Sequence, residues 1–148
     1  MEIKLETATL KILDTLYRIE EQCFSEEAFT KRQIAYLLTD YNTIALAAKV
    51  NTDVAGFIIA QVETDESEFG HIITINVAPN CRRKNIGTKM VQEIEYRLKQ
   101  RGIDECRLEV REDNHDAIKL YHNLGYQTIG KLERYYGKKH GIYLKKDI

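Results

Sequence analysis

The chain has 148 residues, with 22 lysines and arginines set against 23 aspartates and glutamates for a formal net charge of −1. That length fits one domain, 1–148, with a core large enough to need neither disulfides nor a structural metal. The balanced charge gives no global attraction to DNA or RNA, so basic residues matter only where they cluster.

Cys23, Cys81 and Cys106 are widely separated, odd in number and unaccompanied by a CxxC or a histidine pair at ligand spacing. This points to a reducing cytoplasm and away from a zinc site. No apolar run reaches membrane-spanning length, and residues 1–6 alternate apolar and charged side chains where a signal peptide would be continuously apolar. The expectation is a soluble, unprocessed protein.

Residues 1–8 read as a strand, followed by Thr9 as the cap of a helix that carries Leu10, Leu13, Leu16, Tyr17 and Ile19 and ends around Cys23. Residues 24–30 connect to a second helix, built on Ile34, Leu37 and Leu38 and running to about Thr39, and present aromatics and carboxylates together. Residues 43–49 and 54–63 read as an antiparallel hairpin around the turn-rich 50–53, with Gly56 signalling a close backbone approach or a bulge. The polar stretch 64–68 is a surface turn before an apolar strand at 72–77.

That strand stops at the single proline, Pro79, crosses Arg82, Arg83 and Lys84, and runs without a linker into a helix with Met90, Val91, Ile94 and Leu98 on one face. A strand, a tight turn and a helix start make an anion site, because the first N–H groups of a helix lack internal partners and sit at the positive end of its dipole. The helix runs to about Arg101, with Gly102 as its stop. Residues 105–111 form the next strand, Leu108 and Val110 facing one way and Glu109 the other. A short helix at 114–124 closes on Gly125, and strands at 126–132 and 141–144 flank residues 133–140. Hairpin strands followed by alternating strands and helices predict a mixed sheet with helices on both faces.

The run Arg82-Arg83-Lys84-Asn85-Ile86-Gly87 resembles the cofactor turn of the GNAT superfamily of N-acetyltransferases, with Asn85 where the family usually has its first glycine. Asparagine tolerates a left-handed backbone better than other non-glycine residues, so the turn is expected to form. A second block, residues 108–114 followed by Ala117-Ile118-Lys119-Leu120-Tyr121 and Leu124-Gly125-Tyr126, resembles the RimI-type and archaeal N-terminal acetyltransferases. The implied fold is α/β (α+β), one domain on a mixed, mostly antiparallel sheet of about six to seven strands. Acetyl-CoA is the implied donor. Its pyrophosphate would rest on the turn from Arg82, Arg83, Lys84 and Asn85 through Ile86, Gly87 and Thr88. Its pantetheine arm would run along Ile75, Asn76 and Val77 and meet Asn114. The implied acceptor is a protein or peptide N-terminus, a ribosomal protein or nascent chain among the candidates, with no direct nucleic-acid or membrane contact.

Direct amine attack on a thioester needs a neutral amine and a group to receive the departing thiolate. The resemblance gives Glu109 as general base and Tyr121 as donor to the CoA sulfur. From the residues alone, Glu109 reads equally as a cross-strand ion pair and Tyr121 as a core aromatic. A phenol of pKa about 10 facing a thiol of about 8.5 favours hydrogen bonding over proton transfer. Phe24, Glu26, Tyr135 and Tyr136 are the expected acceptor-site residues, against a tyrosine-rich hairpin packed over the sheet. His71 is the one histidine placed to matter, near the start of the central strand. A protein α-amine, of pKa about 7.7 to 8, is neutral in roughly a tenth of molecules or more at pH 7 and needs only a modest base. A lysine or small-amine acetyltransferase and a non-catalytic acetyl-CoA-binding module remain the alternatives.

Overall fold

The computed structural model describes residues 2–82 and 85–148, the side chain of Glu26 apart. Seven strands form one sheet in the order β1-β2-β3-β4-β5-β7-β6. They are β1 (Ile3–Thr7), β2 (Thr43–Val50), β3 (Asp53–Glu63), β4 (Phe69–Val77), β5 (Glu105–Arg111), β6 (Gln127–Tyr136) and β7 (Lys139–Asp147). Every pairing is antiparallel except β4 with β5. The mixed, mostly antiparallel sheet expected from the sequence is therefore present, with β7 inserted between β5 and β6.

Helices α1 (Leu13–Phe24) and α2 (Lys31–Thr39) cover one face, packing Leu16, Ile19 and Ile34 on Phe57 and Ile59. Helices α3 (Ile86–Gln100) and α4 (His115–Asn123) cover the other, where Met90, Val91, Ile94 and Leu98 meet Ile58, Ile72 and Leu108. Two apolar faces on one sheet require two helical layers, and each helix shows an apolar stripe at 3.6 spacing.

Local chemistry explains most boundaries. Thr30 accepts from the Gln33 N–H while the Gln33 side chain accepts from the Thr30 N–H, a capping box that starts α2. Thr9, expected as a cap, makes no side-chain cap bond; a 3-10 turn over Leu10–Ile12 precedes α1 instead. Gly56 sits where a Cβ would stand 2.4 Å from the Asn76 carbonyl oxygen, so the close approach read from the sequence is real. The last two strands are longer than the sequence pattern suggests: residues 133–140 belong to the β6–β7 hairpin. The ladder is lost after Leu132, where Arg134 takes φ 51°, and resumes at Tyr136 opposite Lys139. This bulge interrupts the period-2 alternation by which a strand is recognised.

The feature that shapes the site lies in β4. Its register against β3 shifts between Ile59, opposite Thr74, and Ala60, opposite Ile72, leaving Ile73 as the extra residue. Its pairing with β5 stops at the same place, after Ile72 opposite Leu108. Beyond that point the two central strands separate.

Candidate active site

The gap between β4 and β5 opens into a cavity of about 200 Å³ whose walls include Thr74, Ile75, Leu108, Asn114 and Tyr121. A second, wider cavity of about 540 Å³ lies under α2, walled by Arg32, Tyr36, Leu37 and His71. Phe29, Ile73, Glu109 and Tyr135 border both. Glu109 thus stands where the two spaces meet, on the face of β5 opposite the buried Leu108 and Val110.

Glu109 is held by His71 on the adjacent strand, Nε2 to Oε1 at 2.7 Å, and the other ring nitrogen of His71 lies 3.5 Å from Glu63. Burial works against the imidazolium, but the two carboxylates outweigh it and raise the His71 pKa above its ordinary value. The pair is a cross-strand contact, as one sequence reading expected, and it also faces both cavities. His71 acquires its partner only through the parallel pairing of β4 and β5, which no local pattern reports.

Tyr121 is 3% exposed and packs edge-on against Tyr126, ring centroids 5.7 Å apart. Desolvation, with smaller contributions from Cys106 and Tyr136, raises its phenol pKa above the usual range. The residue borders the narrow cavity, and among the described residues no side chain or carbonyl hydrogen-bonds its hydroxyl. A donor left open there fits a ligand acceptor. Asn114 caps α4 by accepting from the Ala117 N–H, and its amide N–H groups are available as donors toward the narrow cavity that it borders.

The helix start expected to hold pyrophosphate has the right form. Asn85 adopts the left-handed conformation, φ 61° and ψ 19°, as expected for asparagine in place of glycine. Among the described residues no side chain caps α3 and Lys89 is the first to donate to the Asn85 carbonyl, so the N–H groups of Ile86, Gly87 and Thr88 have no partner within that set. Arg83 and Lys84 lie outside the described residues. Arg82 is exposed, with its Nε donating to the Val77 carbonyl at 3.3 Å and its Nη2 to the Cys23 sulfur; it ties the turn to β4.

Along β4 the three expected residues divide. The Asn76 carbonyl points at β3, so strand alternation leaves the main-chain groups of Ile75 facing the open edge, while the Val77 carbonyl accepts from Arg82 and Cys23. The Asn76 side chain is buried on the α1 face, donating to Glu20 and Thr74. Glu20, 1% exposed on α1, was not anticipated as a site residue, yet it borders the narrow cavity. Its signal was a carboxylate in the apolar stripe Leu16, Ile19, Glu20, Cys23.

Of the expected acceptor residues, Phe24, Tyr135 and Tyr136 line the narrow cavity, and the two tyrosines meet edge-on at 4.9 Å. The Glu26 side chain lies outside the described set. Glu27 borders the cavity and pairs with Arg111 at 2.6 Å, Arg111 in turn gripping Asp113. An open-edged strand, free helix N–H groups and an unpartnered phenol together suit a long, phosphate-bearing thioester. Among the described residues there is no cluster suited to a metal, and no helix is long and apolar enough to cross a membrane.

Known proteins resemble this chain in sequence and in fold. The N-alpha-acetyltransferase of Sulfurisphaera tokodaii is 28% identical over 97% of this chain and 91% of its own. The [ribosomal protein bS18]-alanine N-acetyltransferase of Escherichia coli is 30% identical over 84% and 80%. The crystal structure of Ard1 from Thermoplasma volcanium superposes with a TM-score of 0.91 at 21% identity, covering 100% of this chain and 99% of that one. Several eukaryotic relatives are longer, the chain spanning between 28% and 61% of their length. Residues 13–126 match the acetyltransferase (GNAT) family, and the chain belongs to that family.

Proposed function

We propose that this protein transfers the acetyl group of acetyl-CoA to the N-terminal α-amine of proteins or peptides, by direct attack in a ternary complex. The observation that carries the reading is Glu109, paired with His71 at the junction of two cavities. One cavity suits a thioester arm; the other is wide enough for a peptide end. The names of the relatives, N-alpha-acetyltransferases of archaea and the bS18-alanine enzyme of Escherichia coli, support the α-amine as acceptor. By the same analogy a ribosomal protein or nascent chain is a candidate source of that terminus. Unpaired cysteines support a reducing, cytoplasmic setting.

Acetyl-CoA supplies an acetyl thioester. The N–H groups of Ile86, Gly87 and Thr88 would hold its pyrophosphate, the open edge of β4 at Ile75 its pantetheine arm, and the Asn114 amide would add a donor. Phe24, Phe29, Tyr135 and Tyr136 would confine the peptide end. As the amine nitrogen bonds the acetyl carbon and the carbon–sulfur bond breaks, the amine's proton passes to the Glu109–His71 pair, directly or through one water. Tyr121 donates to the sulfur as negative charge gathers there. Labelled acetyl-CoA offered with peptides beginning Met, Ser, Ala or Glu should label at least one α-amine. N-terminally blocked peptides with an internal lysine should stay unlabelled. Transfer confined to lysine, or no transfer, refutes the reading.

A further inference from the structure

The wall of the narrow cavity contains a buried carboxylate that proton transfer does not use. Glu20 lies on the apolar stripe of α1, where a leucine would pack with Leu16 and Ile19. Burial raises its pKa, and among the described residues no cation pairs with it. Such a group is costly to keep unless its hydrogen bonds do something a leucine would not. Its bonds span two elements. Oε1 accepts from Thr74 at 2.9 Å and from Asn76 at 3.0 Å, on the bulged half of β4. Oε2 accepts from the backbone N–H of Phe29, nine residues on, at 3.2 Å. Phe29 borders both cavities. The other tie on this loop, Glu27 to Arg111, is exposed and open to salt screening.

We propose that Glu20 is a positioning residue for the acceptor site: its carboxylate fastens the loop carrying Phe29 to β4, holding the peptide's wall in register with the strand that carries the acetyl donor. This rests on the acetyl-transfer reading above. The clamp works through hydrogen bonds rather than charge, and the structure provides a check on that. Asn76 Oδ1 is buried with no partner. A glutamine at position 20 can therefore turn its oxygen to the Phe29 N–H and donate its amide to a flipped Asn76, with the Thr74 hydroxyl rotating to suit.

Glu20→Met should raise the peptide KM about tenfold, the loss of one buried hydrogen bond, with acetyl-CoA affinity within twofold of wild type. Glu20→Gln should restore the peptide KM to within about threefold. Hydrogen exchange of the unmodified protein tests the clamp without any acceptor: the Phe29 amide should exchange at least about tenfold slower than an unstructured amide, and lose that protection in the Met variant if it folds. An unprotected Phe29 amide overturns the proposal. So does a Gln variant as impaired as Met, or a parallel loss of acetyl-CoA binding and peptide KM. A protein that labels no α-amine but protects Phe29 would refute the acetyl-transfer reading and leave the clamp standing.

Discussion

Replacing Tyr121 with phenylalanine removes one hydroxyl and little else. The ring is 3% exposed and rests edge-on against Tyr126, a contact phenylalanine keeps. With no protein partner among the described residues, the hydroxyl should cost less than about 1 kcal/mol of stability to remove. Its value lies in the transition state, where a hydrogen bond to developing thiolate charge is worth about 1.5 to 3 kcal/mol, or roughly ten- to hundredfold in kcat. Burial raises the phenol pKa, so a full proton transfer to a thiolate of about 8.5 is uphill by at least about 1.5 units. In the proposed mechanism Tyr121 therefore acts as a hydrogen-bond donor that stays protonated. Steady-state kinetics following thiol release should show kcat falling with the KM for acetyl-CoA nearly unchanged, and thermal unfolding should barely move. The wild-type rate should also hold level on the alkaline side to about pH 10. A kcat within twofold of wild type refutes the assignment, as does an alkaline decline below pH 10 that disappears in the variant.

Two further substitutions test neighbouring parts of the site. His71 has a raised pKa in the folded state, so its ion pairs stabilise the protein fully below about pH 6.5 and lose that effect as pH rises through the folded value. The difference in melting temperature between wild type and His71→Gln should be widest in acid and close toward alkali. The acid limb of kcat/KM should lie above pH 6.5 in wild type and move lower in the variant; identical profiles would separate His71 from the proton path. At Asn85, valine in a left-handed position should cost about 1 to 2 kcal/mol, about 2 to 8 °C in melting temperature, whereas glycine should be neutral or slightly stabilising and keep acetyl-CoA binding. A glycine variant that binds the donor more than tenfold worse would show that the asparagine side chain, not the backbone, serves the site.

The parts of this protein that were legible in sequence are those whose cause is local. Met90, Val91, Ile94 and Leu98 announce a helix face, Gly102 and Gly125 end helices at φ 80° and 99°, and Asn85 reveals its left-handed turn. Glu109 could be placed opposite Leu108 and Val110 because a strand alternates. What stayed hidden depends on distant pairing. His71 and Glu109 are 38 residues apart and meet only through the β4–β5 register. Glu20 reaches Thr74 and Asn76 across 54 and 56 residues, on a face that strict alternation counted from His71 would have denied to both of them. The motif places Arg82 at the anion turn by its position, but its contacts to the Val77 carbonyl and the Cys23 sulfur were not legible there.

The bulge in β4 connects these observations. Without the bulge the intact sequence would alternate strictly and put His71 and Thr74, three residues apart, on opposite faces of the sheet. With it, His71, Ile73, Thr74 and Asn76 all turn toward α1 and α2, while Ile72, Ile75 and Val77 pack toward α3. A bulge also increases local twist, and here β4 parts from β5 at the same point, after Ile72, freeing a strand edge inside the protein. An unpaired edge at that depth is a liability unless something pairs with it. A ligand arm lying in the gap would complete the interrupted ladder, and its reactive end would lie between Tyr121 and the Glu109–His71 pair. In the proposed mechanism one extra residue thus sets both the gap that would take the donor arm and the face on which His71, Thr74 and Asn76 meet Glu109 and Glu20.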